Sequence, residues 1–258
     1  MSATKNIRIF FRRNRSVARI YFYFLKSALR TSPLNKKPLV IGSQSQAAQE
    51  SFVYRANNCK KSGTYVEIGG HDGFTMSNTL LLESRFSWVG VAIEFDAELC
   101  SLYNAKRKNS CLELDATTAD YQEILTNFGF PKQIDYLQVD IDPSFQSLQA
   151  LKKVLSADFR FSIITFEHDA YLEAGANSKV LIESRKLLHE NHYELVASRV
   201  CHEGKEFEDW WIDPKVVPDR LIKDFRSNSK EGRSHFSVWS QFIDTLNSVN
   251  NLLKANES

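Results

Sequence analysis

The chain has 258 residues, 43% hydrophobic and 25% charged, with a formal net charge of +2. That composition supports a buried core and excludes a low-complexity or disordered chain. The charge is uneven: residues 1–30 carry eight basic residues (Lys5, Arg8, Arg12, Arg13, Arg15, Arg19, Lys26, Arg30) and no acid, leaving 25 basic against 31 acidic residues beyond them.

Taken in chain order, residues 7–29 come first. Ile7, Phe10, Phe11, Val17, Ala18, Tyr21, Phe22, Leu25, Ala28 and Leu29 recur at helical spacing, with the basic residues on the other face. Such a helix suits an anionic membrane surface or an acidic partner. It would equally pack on its own domain, and an acid-free, Arg-rich start also fits a transit peptide. The apolar run Ile20–Leu25 is far shorter than the ~20 residues of a membrane span. Pro33 and Pro38 mark a connector, so residues 1–42 read as an appendage to a domain over 43–226, with 227–258 as linker and C-terminal helix.

Residues 43–58 read as a helix leading into the core. Strands and helices then alternate: strands at 65–68, 88–93, 110–114, 134–141 and 161–166, and helices at 78–85, 97–106, 119–128, 144–155 and 178–190. Short links between them predict an α/β, doubly wound, mostly parallel sheet. Residues 192–200 and 206–213 form a hairpin around 203–205, so the seven-stranded sheet should end antiparallel. "SNSKEGRS" (227–234) is a polar linker, and Trp239, Phe242, Ile243, Leu246, Val249, Leu252 and Leu253 form one stripe of a terminal helix. The four cysteines (Cys59, Cys100, Cys111, Cys201) lack a CxxC pair and read as buried thiols of a reducing, cytoplasmic compartment.

Ligands of an open α/β sheet bind beyond the carboxyl ends of its strands, where strand order reverses. Here those ends carry Gly69, Glu94, Asp115, Asp140, and Glu167 with His168. A ring of acids argues against a phosphate, and glycines at 69, 70 and 73 do not make the three-glycine dinucleotide turn. The ring suits a ligand with ribose hydroxyls and positive charge, and S-adenosylmethionine has both. Glu94 is placed to accept the ribose hydroxyls. Gly69 and Gly70 let the backbone approach the methionine part. Glu67 or Asp72 would hold its amino group, and Asp115 would accept from the adenine amine.

The run "YVEIGGHDGFTMSNTLLLE", followed by "WVGVAIE" and "IDYLQVDID", resembles the FkbM-type family of class I S-adenosylmethionine-dependent methyltransferases over residues 43–215. The resemblance implies cofactor binding by Glu67, Gly69 and Asp72 and ribose binding by Glu94. It also implies methyl transfer to hydroxyls of sugars, glycans or secondary metabolites. Where the family commonly has an acid–glycine pair after strand four, this chain has Asp142-Pro143, so no role is carried over to Asp142. Asp142 before a proline reads instead as a helix cap, as does Asp96. Ser77 and Asn78 either face the ligand or open the next helix.

In "FEHDAY" (166–171), His168 is the expected base for an alcohol acceptor, with Asp140 beside it. A magnesium ion on Asp140, Asp142, His168 or Asp169 is the competing, less favoured expectation. In "EDWWIDP", Trp210 and Trp211 should point to opposite faces, and one of them could stack a sugar ring. The leading expectation is a methyltransferase of hydroxyls on a glycan or small molecule, held peripherally at a membrane by residues 1–30. The alternative is a membrane-tethered, cofactor-binding scaffold without transferase activity. Nucleic acid is not an expected partner, because no basic stripe with interleaved aromatics borders the crevice.

Overall fold

The computed structural model describes residues 44–173, 178–202 and 204–225. The expected basic helix at 7–29 and the terminal helix with its linker lie outside these residues. The elements run α1 (Gln49–Ala56), β1 (Thr64–Ile68), α2 (Leu80–Phe86), β2 (Val89–Glu94), α3 (Ala97–Lys106), β3 (Ser110–Glu113), α4 (Tyr121–Asn127) and β4 (Gln133–Val139). They continue with α5 (Ser144–Leu155), β5 (Arg160–Glu167), a 3₁₀ turn (Ala170–Leu172), α6 (Lys179–Glu190), β6 (Glu194–His202), β7 (Lys205–Ile212) and α7 (Asp219–Phe225).

The seven strands form one sheet in the order β3-β2-β1-β4-β5-β7-β6. Strands β1 to β5 pair in parallel. β7 is antiparallel to both β5 and β6, so the hairpin inserts its second strand between β5 and its first. The sheet is Rossmann-like and doubly wound, and its order reverses between β1 and β4, which opens a crevice at their carboxyl ends.

Alternation along the strands divides the core between two faces. Val66, Ile68, Leu137, Val139, Ile164, Phe166 and Trp211 join one apolar cluster. Tyr65, Tyr136, Ile163 and Trp210 join the other with Phe52 and Leu82. The two tryptophans do face opposite ways. Trp210 stacks on Phe52 at 4.5 Å between ring centres, and Trp211 meets His189 edge-on at 4.9 Å. Both are fully buried, so neither offers a ring face to a sugar.

Side-chain caps set three helix starts. Asp96 accepts from the Glu98 and Leu99 amides, Asp120 from Glu123 and Ser178 from Leu181. Two starts differ from expectation. α1 begins at Gln49 and not near residue 43, because side chains take the backbone groups of the preceding turn: Gln49 Oε1 accepts from the Ala47 amide at 2.8 Å and Glu50 Oε2 from the Gln44 amide at 3.2 Å. α5 has Pro143 at its cap position with no side-chain cap bond, so Asp142 does not cap it.

Candidate functional site

A cleft of about 710 Å³ opens at the carboxyl ends of β1, β2 and β4. It gathers Glu67, Gly69, Gly70, Glu94, Asp115 and Asp140 from the expected set, together with Asp96, Asp142 and Glu167. Asp72 and His168 are not among its lining residues.

Glu67 lies at the inner end of the cleft. Its Oε2 accepts from Thr79 Oγ1 at 2.7 Å and from the Tyr103 hydroxyl at 3.0 Å, with Arg107 Nη1 4.0 Å away. Burial pushes its carboxyl pKa up, and the arginine and the two hydroxyls oppose that shift. Arg107 was not singled out by the sequence, yet it holds this turn together. Its guanidinium donates to Glu83, the Gly73 carbonyl, Ser77, the Tyr65 hydroxyl and Thr79, and lies over the Tyr103 ring at 4.7 Å. A lone arginine closing a helix carries no sequence mark of such a role.

Gly69 and Gly70 line the cleft, but internal packing already demands both. At Gly69, with φ +85°, a Cβ would lie 1.7 Å from the Asp140 carbonyl oxygen; at Gly70 it would lie 3.0 Å from the Ala92 Cβ. Asp72 turns away from the cleft and closes the loop. It accepts from the Phe74 and Thr75 amides, the Thr75 hydroxyl and Lys106 Nζ at 2.8 Å. Those donors overcome its desolvation and hold its carboxyl below the usual range.

Glu94 ties two strand ends together: Oε2 accepts from the His71 amide at 2.8 Å and Oε1 from the Asp96 amide at 3.0 Å. Each oxygen keeps lone-pair capacity for a second donor. Asp115 Oδ1 accepts from the Thr117 amide and hydroxyl. Phe95, 77% exposed, lines the cleft with Leu99 and Leu114. An exposed aromatic directly after the acid of strand two is the sequence signal that locates this apolar wall.

On the β4–β5 side, Asp140 and Glu167 share a hydrogen bond. Burial, with Asp169, Asp142 and Glu67 nearby, pushes the Asp140 carboxyl up to about 7 despite its bond to Glu167. Burial and the facing acids Asp140 and Asp169 push the Glu167 carboxyl well above its ordinary range too. His168 is fully buried. Its Nδ1 accepts from the Ala170 amide at 3.1 Å, and its Nε2 lies 3.5 Å from Asp209. The backbone turns it away because the His168 amide bonds to the Phe207 carbonyl at 2.7 Å, carrying the chain along β7. Among the described residues no group of three or more His, Cys, Asp or Glu is arranged to hold a metal ion.

Ser77 Oγ accepts from the Thr79 and Leu80 amides, so it opens α2. Asn78 and Gln138 both line the cleft, and their buried amide oxygens have no hydrogen-bond partner.

A mixed sheet in this order, with its seventh strand antiparallel between the fifth and sixth, is the class I methyltransferase fold. No family model matches the chain, and no curated protein matches its sequence. Among solved structures, human methyltransferase-like protein 13 in complex with SAH is 15% identical, with TM-score 0.43, over 69% of this chain and 88% of that one. Aeropyrum pernix fibrillarin with bound S-adenosyl-L-methionine is 15% identical, TM-score 0.43, over 59% and 67%. The METTL16 MTase domain is 13% identical, TM-score 0.47, over 63% and 65%. The strand order carries the fold assignment independently of these likenesses.

Proposed function

We propose that the chain is an S-adenosylmethionine-dependent methyltransferase acting on a hydroxyl of a neutral glycan or secondary-metabolite-type acceptor. One observation carries the reading. The cleft at the strand-order reversal is lined, among the described residues, by seven acidic side chains (Glu67, Glu94, Asp96, Asp115, Asp140, Asp142, Glu167) and by no lysine or arginine. That lining favours a cationic ligand with hydroxyls over a phosphorylated one. It equally disfavours a polyanionic acceptor such as nucleic acid.

The residues present fit the cofactor. Glu94 would accept from the ribose hydroxyls, with Phe95, Leu99 and Leu114 as an apolar wall for the adenine and Asp115 for its amine. Glu67 would face the positively charged end. The cofactor, when bound, supplies a methyl group on a sulfonium. The chain has to hold the acceptor in line and remove its proton. We place the base on Asp140, not on His168. Asp140 lines the cleft with a pKa near neutrality, whereas His168 is sealed against Asp209. Glu167, bonded to Asp140, would orient its carboxyl group.

Incubating the protein with methyl-labelled S-adenosylmethionine and fractionated cell extract tests the reading. Label in a neutral, base-stable hydroxylated product supports it. Cofactor binding without label transfer would favour the scaffold alternative, and label in an amine or a nucleic acid would move the acceptor class. Among the described residues no helix is long and apolar enough to cross a membrane. Contact of residues 1–30 with an anionic surface remains a proposal from their charge.

A further inference from the structure

The described chain begins at Gln44, and Gln46 already lines the cleft. Gln46 is tied to both banks. Its Nε2 donates to Met76 Sδ at 3.2 Å, in the glycine turn after β1, and its carbonyl accepts from His202 Nδ1 at 3.1 Å, at the end of β6. In the sheet, β4, β5 and β7 lie between those two strands. The chain that precedes Gln44 is therefore delivered to the mouth of the cleft, on the side of β4 and β5.

That side has a floor of acids and a rim of exposed apolar side chains. Asp140, Asp142 and Glu167 form the floor, and among the described residues no lysine or arginine joins them in the cleft lining. Around them stand Met76, 51% exposed, Phe145 in the first turn of α5, 51% exposed, and Leu172 in the 3₁₀ turn after β5, 67% exposed. Lys205, over the Tyr171 ring at 5.2 Å, bounds this surface at the hairpin. Exposed apolar side chains around a group of acids fit a partner that is apolar and basic at once.

Residues 1–30 have that composition: eight basic residues, no acid, and an apolar stripe at helical spacing from Ile7 to Leu29. The long stems of the basic side chains let their charged heads reach around the stripe. Residues 31–43 can span up to ~45 Å, so reach is no obstacle. We propose that residues 1–30 dock in cis on the β4–β5 side of the cleft, with the apolar stripe on Met76, Phe145 and Leu172 and the basic residues on Asp140, Asp142 and Glu167. Docked there, the segment closes the acceptor side and leaves the Glu94–Phe95 side open. That consequence rests on the transferase reading above, whereas the docking itself does not.

Carbodiimide cross-linking of the full chain tests the docking, because it joins an amine directly to a touching carboxyl group and needs no cofactor. Lys5 and Lys26 supply the amines. Peptide mass spectrometry should find links from one or both to Asp140, Asp142 or Glu167. In a full chain carrying Arg12→Glu, Arg13→Glu and Arg15→Glu together, which keeps both lysines, the yield of these links should fall about tenfold. An unchanged yield in that variant, or links spread over acids away from the cleft such as Asp158 and Glu183, overturns the proposal. In a mixture of isotope-labelled and unlabelled chains, links that join the two forms give the surface to a second copy and overturn docking in cis. The absence of links overturns it as well, and sedimentation of the chain with phosphatidylserine vesicles would then give residues 1–30 to the membrane.

Discussion

The carbonyl oxygen of Asp140 fills the space that a side chain on Gly69 would need, 1.7 Å from where its Cβ would lie. The ends of β1 and β4 thus close on each other through backbone alone, and the crevice opens just beyond that contact. Gly69 also sits at φ +85°, where a side chain is strained whatever the space. Gly69→Ala should cost about 3 kcal/mol or more, the strain and the clash together. Urea unfolding reads this directly. A loss below about 1 kcal/mol would mean the strand ends part easily and that the glycine serves the ligand instead.

Glu94 should behave as a ribose residue. Glu94→Gln keeps its size but turns an amide N–H₂ toward either the His71 or the Asp96 amide, which already point at its oxygens. Affinity for S-adenosylhomocysteine and for 5′-methylthioadenosine should fall together, by about tenfold or more, because both carry the ribose. Calorimetry on both nucleosides reads this directly. Unchanged binding of both would remove Glu94 from the site.

Much of this was legible in the sequence. Five apolar runs alternating with amphipathic helices gave the sheet, and the residue ending each run gave the acids of the cleft, because strand ends in such a sheet converge. The hairpin was legible too, but not which of its strands lies beside β5. That choice decides the direction of His168. With β7 inserted, Glu167 pairs with Glu208, and the next amide bonds to Phe207, so the imidazole turns into the protein. Asp72 reads as a ligand residue in sequence, because the lysine that neutralises it lies 34 positions away, on α3. The glycines of the turn read as ligand-facing for the same reason: the Asp140 carbonyl and the Tyr103 ring, which occupy the space beside them, come from distant elements.

Asp140 as the base gives a pH profile. Its carboxyl, pushed up to about 7, must be ionised to accept a proton, so kcat should rise with pH through about 7. Asp140→Asn should lower kcat by about 10²–10⁴ and leave cofactor affinity in place. His168→Asn should keep the ionisation near 7 and act chiefly on stability, because His168 meets Asp209 and not the cleft. If the ionisation disappears with His168 and survives in Asp140→Asn, the roles are reversed.

The last prediction concerns Glu208, which lies on β7 opposite Glu167 and is 1% exposed. Burial pushes its carboxyl from an ordinary 4.5 up to about 8. Asp140 adds to the shift, and bonds with Trp210, Gln49 and Thr165 oppose it. Between those two pH values the folded protein keeps a proton that the unfolded chain has lost, so rising pH favours unfolding. The stabilisation is complete below about 4.5, declines as pH rises, and is gone above about 8. Asp140 and Glu167 act with the same sign, since burial raises both. Asp72 and Asp209, held low by their partners, contribute nothing to the slope above pH 5, because both are ionised in either state. Melting temperature measured from pH 5 to pH 9 should therefore fall in the wild type and fall less steeply in Glu208→Gln. The two curves should separate at the alkaline end, where the variant is the more stable and melts at the higher temperature. Parallel curves would mean that Glu208 is ionised in the folded protein and is paired more strongly than its contacts with Trp210, Gln49 and Thr165 allow.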